Sequence, residues 1–342
     1  MKLSVLDQSP VAAGATASDA LRNTVDLARL ADRLGYERYW IAEHHGAELI
    51  AATAPEVLIG VVAQATGGIR VGSGAVLLPH YSPFKVAEVF RTLHALFPGR
   101  IDLGVGRGPG AGPDEAYALA AGRRSEPLRI EDFPRQIFEL KALLDGGFPA
   151  DHPFGRLRLQ PGGEGAPDLW VLGSSAWSST GAGQLGLPFA HAHFIGPAHT
   201  RDALSRYRQA FRAGTHRSRP QALLAVGVLC ADSDAEADRL ASSLRAVARR
   251  TERGVQGRLP SVEDALAELA AGPPPDPEPD QAGGWRRVIV GGPATVHRKL
   301  SEMADALGLD EVMALTLCHD HQARRRSYEL LAQAFGLETR SG

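Results

Sequence analysis

Two adjacent histidines beside a carboxylate, Glu43-His44-His45, are the sharpest chemical feature of this 342-residue chain. Imidazoles next to a carboxylate can move protons near neutral pH. The same residues can also form a satisfied structural pair or part of a metal site, although no HExxH spacing accompanies them. On an extended strand the two rings project to opposite sides, so at most one faces a ligand. Three further stretches carry chemical potential. Gly72-Ser73-Gly74-Ala75 lets a backbone approach a flat ligand closely, or marks a bulge that needs small residues. Gly104-Val105-Gly106-Arg107-Gly108 sets a cation among exposed amides, a combination suited to phosphate. Gly173-Ser174-Ser175, opening a helix, is either a phosphate cradle or ordinary N-capping by serine.

The elements that must hold these residues alternate strand, helix, strand. Strands are expected at Lys2–Asp7, Tyr39–Ala42, Arg70–Leu78, Ile101–Gly106, Leu169–Leu172, Phe189–Ala192, Ala222–Ala231 and Glu311–Leu317, with a short apolar piece at Val288–Val290. Helical periodicity runs through Asp19–Leu34, Pro55–Thr66, Pro83–Phe97, Ile130–Leu144, Ser178–Leu185, Thr200–Ala213, Ala235–Arg253, Thr295–Leu307 and Gln322–Phe335. Repeated strand–helix units imply a parallel sheet, and about eight strands match a TIM-type (β/α)8 barrel with insertions. An open doubly wound sheet is the rival architecture. In a barrel, every chemical stretch named above falls at a C-terminal strand end, the face where such barrels place function. A GxGxxA pattern can be read at Gly106, Gly108 and Ala111, but Pro109, Gly112 and Pro113 are expected to prevent the helix that a dinucleotide fold opens there. Asp151–Pro167 reads as an excursion from the alternation, with a hairpin as its candidate form. The chain is expected to form one domain over 1–342, interrupted by a Pro-rich mobile insertion at 255–286 whose centre, 272–284, is a candidate lid.

Composition narrows the function classes. Hydrophobic residues make up 44% and charged residues 22%, with a formal net charge of -2. That balance supports a large core and advertises neither nucleic acid nor a membrane surface as a partner. Two isolated cysteines, Cys230 and Cys318, fit a reducing cytoplasm, and no stretch is apolar enough to span a bilayer. The N-terminal segment reads as a first strand and not as a signal peptide.

Four separated segments together resemble the bacterial luciferase-like flavin monooxygenases. They are Tyr36 to His45, Arg70 to Pro79, Pro98 to Gly104 with Arg107, and Leu172 to Ser175. The likeness runs from about Leu3 to the last helix and is weakest over about 249–287. It implies a barrel that binds FMN, received as reduced FMNH2 from a separate NAD(P)H-dependent flavin reductase. Dioxygen, the co-substrate, then gives a peroxyflavin that oxygenates a small organic substrate, as in bacterial secondary metabolism. The resemblance makes His44 the chemical residue and sets Gly74 and Ala75 against the ring, often across a non-proline cis peptide. It gives Arg107, Ser174 and Ser175 the phosphate, with Gly106 and Gly173 beside them, and no metal. It also implies a homodimer formed through the helices Pro55–Thr66 and Pro83–Phe97. Two departures stand out: bacterial luciferase carries a cysteine where Gly106 stands and a glutamate where Gly173 stands. Light emission is therefore not implied. An F420-dependent reductase or dehydrogenase and a non-catalytic flavin-binding subunit are the alternatives on the same fold.

Overall fold

The computed structural model describes residues 1–108, 110–120, 130–214, 217–271 and 285–340. The elements, in chain order, are β1 (Lys2–Asp7), α1 (Ala17–Arg33), β2 (Arg38–Ile41), α2 (Pro55–Ala65), β3 (Arg70–Ser73), β4 (Val76–Leu77), α3 (Pro83–Leu96), β5 (Ile101–Gly106), α4 (Pro113–Ala120), α5 (Phe133–Leu144), β6 (Asp168–Gly173), α6 (Ala176–Gln184), β7 (Phe189–Ala192), α7 (Thr200–Ala210), β8 (Ala222–Cys230), α8 (Asp234–Leu240), α9 (Ser242–Glu252), α10 (Val262–Ala270), β9 (Val288–Gly291), α11 (Pro293–Leu307), β10 (Glu311–Leu315) and α12 (His321–Ala334).

Strands β1, β2, β3, β5, β6, β7, β8 and β10 pair in parallel, in that order. The ladder closes because β10 pairs with both β1 (Leu3 with Val312) and β8 (Val312 with Leu224). The expected (β/α)8 barrel is therefore the fold, and the open sheet is excluded. Strand β9 lies outside the closed ring, against the C-terminal half of β8.

Period-two alternation sorts the strand residues onto two faces. Leu3, Val5, Tyr39, Ile41, Val71, Leu103, Val105, Val171 and Phe189 face the helices and form the large outer core. Leu6, Trp40, Ala42, Trp170, Ala190, Leu223, Ala225, Met313 and Leu315 fill the barrel itself. Trp40 and Trp170 meet edge to face at 5.2 Å. Below them, at the N-terminal end, the interior is plugged by charge. Arg38 reaches Asp102 at 2.8 Å and Glu311 at 2.9 Å, and the Trp40 indole donates to Asp102 at 2.9 Å. Each buried charge is paired and hydrogen-bonded, the condition for tolerating it there.

Some elements differ from the sequence reading. The expected strand Arg70–Leu78 is broken into β3 and β4, with a cis peptide bond between Gly74 and Ala75. The expected helix Ala235–Arg253 divides at Ala241 into α8 and α9. No hairpin forms over 151–167, which is a run of turns. A helix does follow the glycine run, since α4 begins at Pro113, where proline's fixed φ suits a first turn. The expected insertion 255–286 is partly helical: Ser261 caps α10, and Leu259 bridges to Ala12. Its centre, 272–284, with the proposed lid, lies outside the described residues.

Candidate active site

The residues singled out by sequence converge on the C-terminal mouth of the barrel. His44 follows the inward residues Trp40 and Ala42 at the same spacing of two, just past the end of β2. Its Nδ1 is buried and has no hydrogen-bond partner among the described residues. Burial, and after it the neighbouring His45, lower its pKa below the ordinary histidine value, so the ring is held neutral at pH 7. His45 projects the other way: its Nε2 lies 2.8 Å from Glu43 Oε1. One histidine is buried without a hydrogen bond to a described residue at its Nδ1, and the other faces a buried carboxylate.

The break between β3 and β4 is a bulge. Gly72 pairs with Asp102 and Val76 with Val105, so four steps along one strand oppose three along the other. Ser73 bridges the gap: its hydroxyl donates to the Gly104 carbonyl at 2.8 Å and accepts from the Gly104 N–H at 3.0 Å. A Cβ on Gly104 would lie 2.1 Å from the Ser73 carbonyl, so the bulge requires glycine there. Gly74 and Ala75 are thereby carried into the mouth. A Cβ on Gly74 would meet Leu6 and Trp40, and one on Gly106 would touch Ala75 at 3.2 Å. Gly74, Ala75 and Gly106 thus form a continuous bed of small residues.

The register of β5 with β6 pairs Val105 with Val171, and its continuation sets Arg107 beside Gly173. Arg107 is half-buried and makes no ion pair with a described residue. Gly108 next to it opens onto free space. Across from it, α6 starts at Ala176, with the Ser175 hydroxyl accepting from the Ser178 N–H at 3.3 Å. Capping and phosphate binding are compatible here, because the cap uses one amide and the first turn presents others. Gly173 is held small by Ser178, whose Oγ would lie 2.6 Å from a Cβ.

Sequence reasoning missed Gln8. It follows Ser4 and Leu6 on the inward row at the end of β1, is 7% exposed and forms no hydrogen bond with a described residue. The signal that could have found it is the same alternation. Six further aromatic and histidine side chains, on or just after the strands, also sort themselves. Phe194 packs on the inner cluster. His191 and His193 turn outward to the Thr200 hydroxyl, at 3.1 and 2.7 Å. Tyr81 donates to Glu43, Trp177 packs on Phe133, and His319 reaches the Ala13 carbonyl at 3.2 Å.

A family model described as luciferase-like monooxygenase matches residues 1–311. The chain belongs to the luciferase-like monooxygenases. A solved structure of apo-MsnO8 is 47% identical, covers 99% of both chains and superposes with a TM-score of 0.92. An N-acetyl-S-alkylcysteine monooxygenase of Bacillus subtilis is 36% identical over 335 residues, 98% of each chain. The fold is shared more distantly with the oxygenating constituent of 3,6-diketocamphane monooxygenase from Pseudomonas putida, solved with FMN, at 21% identity over 100% of both chains and a TM-score of 0.71. It is likewise shared with an F420-dependent secondary alcohol dehydrogenase, at 15% identity over 97% and 98% of the two chains and a TM-score of 0.67. Within this luciferase-like monooxygenase the family segments do two different jobs. Asp102 belongs to the charged plug, and Arg100 ties Ala63, Thr66 and Ile69 carbonyls at the barrel's lower end. His44, Gly74, Ala75, Arg107 and the serines stand at the mouth.

Proposed function

We propose that this luciferase-like monooxygenase is the oxygenating component of a two-component system that takes FMNH2 from a separate NAD(P)H-dependent flavin reductase. The observation that carries the reading is the set of groups at the strand ends that are unspent among the described residues: an imidazole nitrogen without a partner, a guanidinium without a carboxylate, and a capped helix start after the adjoining strand. These fit FMN. Arg107, Ser174, Ser175 and the first amides of α6 would hold its phosphate. Gly74, Ala75, Gly106 and Gly173 would make room for its ring and chain.

Reduced FMN, when bound, supplies the two electrons with which dioxygen is divided between one oxygenated product and water. The chain's part is to seat, exclude water and handle protons. Trp40, Trp170 and Met313 close the barrel beneath the site, keeping bulk water from below. His44, neutral and inward, can accept or return a proton at an imidazole nitrogen. Gln8 and Phe194 offer a polar and an apolar contact to an organic substrate. Cys230 and Cys318 take no part: both are buried, and burial first of all pushes their thiols up to about 12 and about 11. The family's homodimer would use α2, whose Val57 and Val61 are exposed, and a monomer in sedimentation refutes that pairing.

The decisive experiment supplies photoreduced FMN and labelled dioxygen with candidate substrates. One labelled atom is expected in the product, and reduced FMN is expected to bind more tightly than oxidised FMN. Reversible hydride exchange with F420, with no label in any product, would replace this reading by the F420 one.

A further inference from the structure

The loops that carry His44 and Gly74-Ala75 meet on the outer side of β2 at one carboxylate, and the loop after Arg107 joins them through the His45 backbone. Glu43 is 2% exposed. Its Oε2 accepts from the Leu77 N–H at 3.0 Å, two residues beyond Ala75. Its Oε1 accepts from the Tyr81 hydroxyl at 2.7 Å and faces His45 Nε2 at 2.8 Å. The backbone N–H of His45 in turn donates to the Gly110 carbonyl at 2.8 Å, on the loop that leaves Arg107. A Cβ on Gly110 would lie 3.2 Å from the Glu43 carbonyl, so this contact is close on both sides.

No lysine or arginine among the described residues pairs with Glu43. A buried carboxylate without one is costly, and it persists where its acceptors are needed. The need here is for three donors converging from two segments, Leu77 and Tyr81 after β3 and His45 after β2. An amide at position 43 could meet them only by reversing two of these bonds, its NH2 donating to Tyr81 and His45 and the charge-assisted contacts being lost. We infer that Glu43, with His45, is a positioning pair that fixes the flavin seat by locking the loop of His44 to the Gly74-Ala75 bulge and to the loop after Arg107. The inference rests on the flavin reading above. Neither residue touches the ring. They set where the groups that do touch it stand.

The test titrates FMN and riboflavin into wild type, Glu43→Gln, His45→Leu and His45→Gln, following flavin fluorescence, with far-ultraviolet circular dichroism to show the fold. Glu43→Gln and His45→Leu are expected to weaken both flavins by a common factor of about tenfold, the size of one charge-assisted hydrogen bond. His45→Gln keeps a donor toward Glu43 and is expected to recover affinity to within about threefold of wild type. A folded Glu43→Gln protein with wild-type affinity overturns the inference. So does weakening confined to FMN, which would place the effect at the phosphate. If Glu43→Gln does not fold, the His45 pair decides: equal affinities in His45→Leu and His45→Gln overturn the role. A wild-type protein that binds neither flavin in either redox state overturns the flavin reading itself, a result distinct from all of these.

Discussion

His44 and His45 are neighbours in sequence and opposites in space. One holds a buried nitrogen with no hydrogen-bond partner among the described residues, and the other rests on Glu43. Alternation made that split legible in the sequence; which ring faced inward became clear only from Trp40 and Ala42 lining the barrel. His191 and His193 show the limit of the same rule. Their shared side was readable, but that it is the helix side depends on Thr200, a contact across a turn. If His44 moves a proton and does not grip the flavin, His44→Ala should lower oxygenated product per reduced FMN by about 100-fold or more while FMN affinity changes far less. Full turnover in that variant would remove His44 from the chemistry and revive a non-catalytic flavin-binding role.

Among the elements, the broken strand β3–β4 decides the site. Sequence offered Gly72-Ser73-Gly74-Ala75 as either a ligand bed or a bulge, and the register shows the bulge, which carries the small residues that the flavin proposal uses. What could not be read was the partner requirement, because Gly104 lies on the next strand and its missing Cβ is needed only once the Ser73 carbonyl is placed. The break of α8 from α9 escaped for a similar reason, since a continuous apolar period is blind to a turn between two helices. Helix starts were closer: α1, expected from Asp19, begins at Ala17 and is capped by Thr16 in a capping box with Asp19. Gly104→Ala should force the bulge and the strand apart. Overpacking against a backbone carbonyl is expected to lower stability by about 3 kcal/mol in urea unfolding. An unchanged urea midpoint with unchanged flavin binding would mean the bulge does not depend on that glycine.

For the whole molecule, closure was the property the strand count could not supply; it appears only in the pairing of β10 with both β1 and β8. Closure also buries titratable groups around the full ring, and this fixes how stability varies with pH. Burial, and then His193, depress the His191 pKa to about 4. Burial likewise lowers His193 and His44. A histidine whose folded pKa lies below its unfolded value stabilises fully above the unfolded value near 6.5, and that stability is lost as pH falls through the folded value. His191 alone is worth roughly 3 kcal/mol across that interval. Asp7 behaves differently. Burial raises its pKa, but Arg324 at 2.7 Å, Tyr39 and the Ser9 N–H outweigh it and hold the carboxylate low. Its stabilisation is present above the ordinary carboxylate range and lost only below about pH 3.8. The unfolding free energy in urea should therefore be level between about pH 8 and 7, fall from about pH 6.5 toward 4 as the histidines charge, and fall again below that as Asp7 is protonated. His191→Gln, which keeps a donor toward Thr200 and cannot charge, should flatten the first fall by up to about one proton's worth of slope. A wild-type protein equally stable at pH 7 and pH 4.5, or a slope unmoved by His191→Gln, would show that the buried histidines are reached by solvent or already charged in the fold.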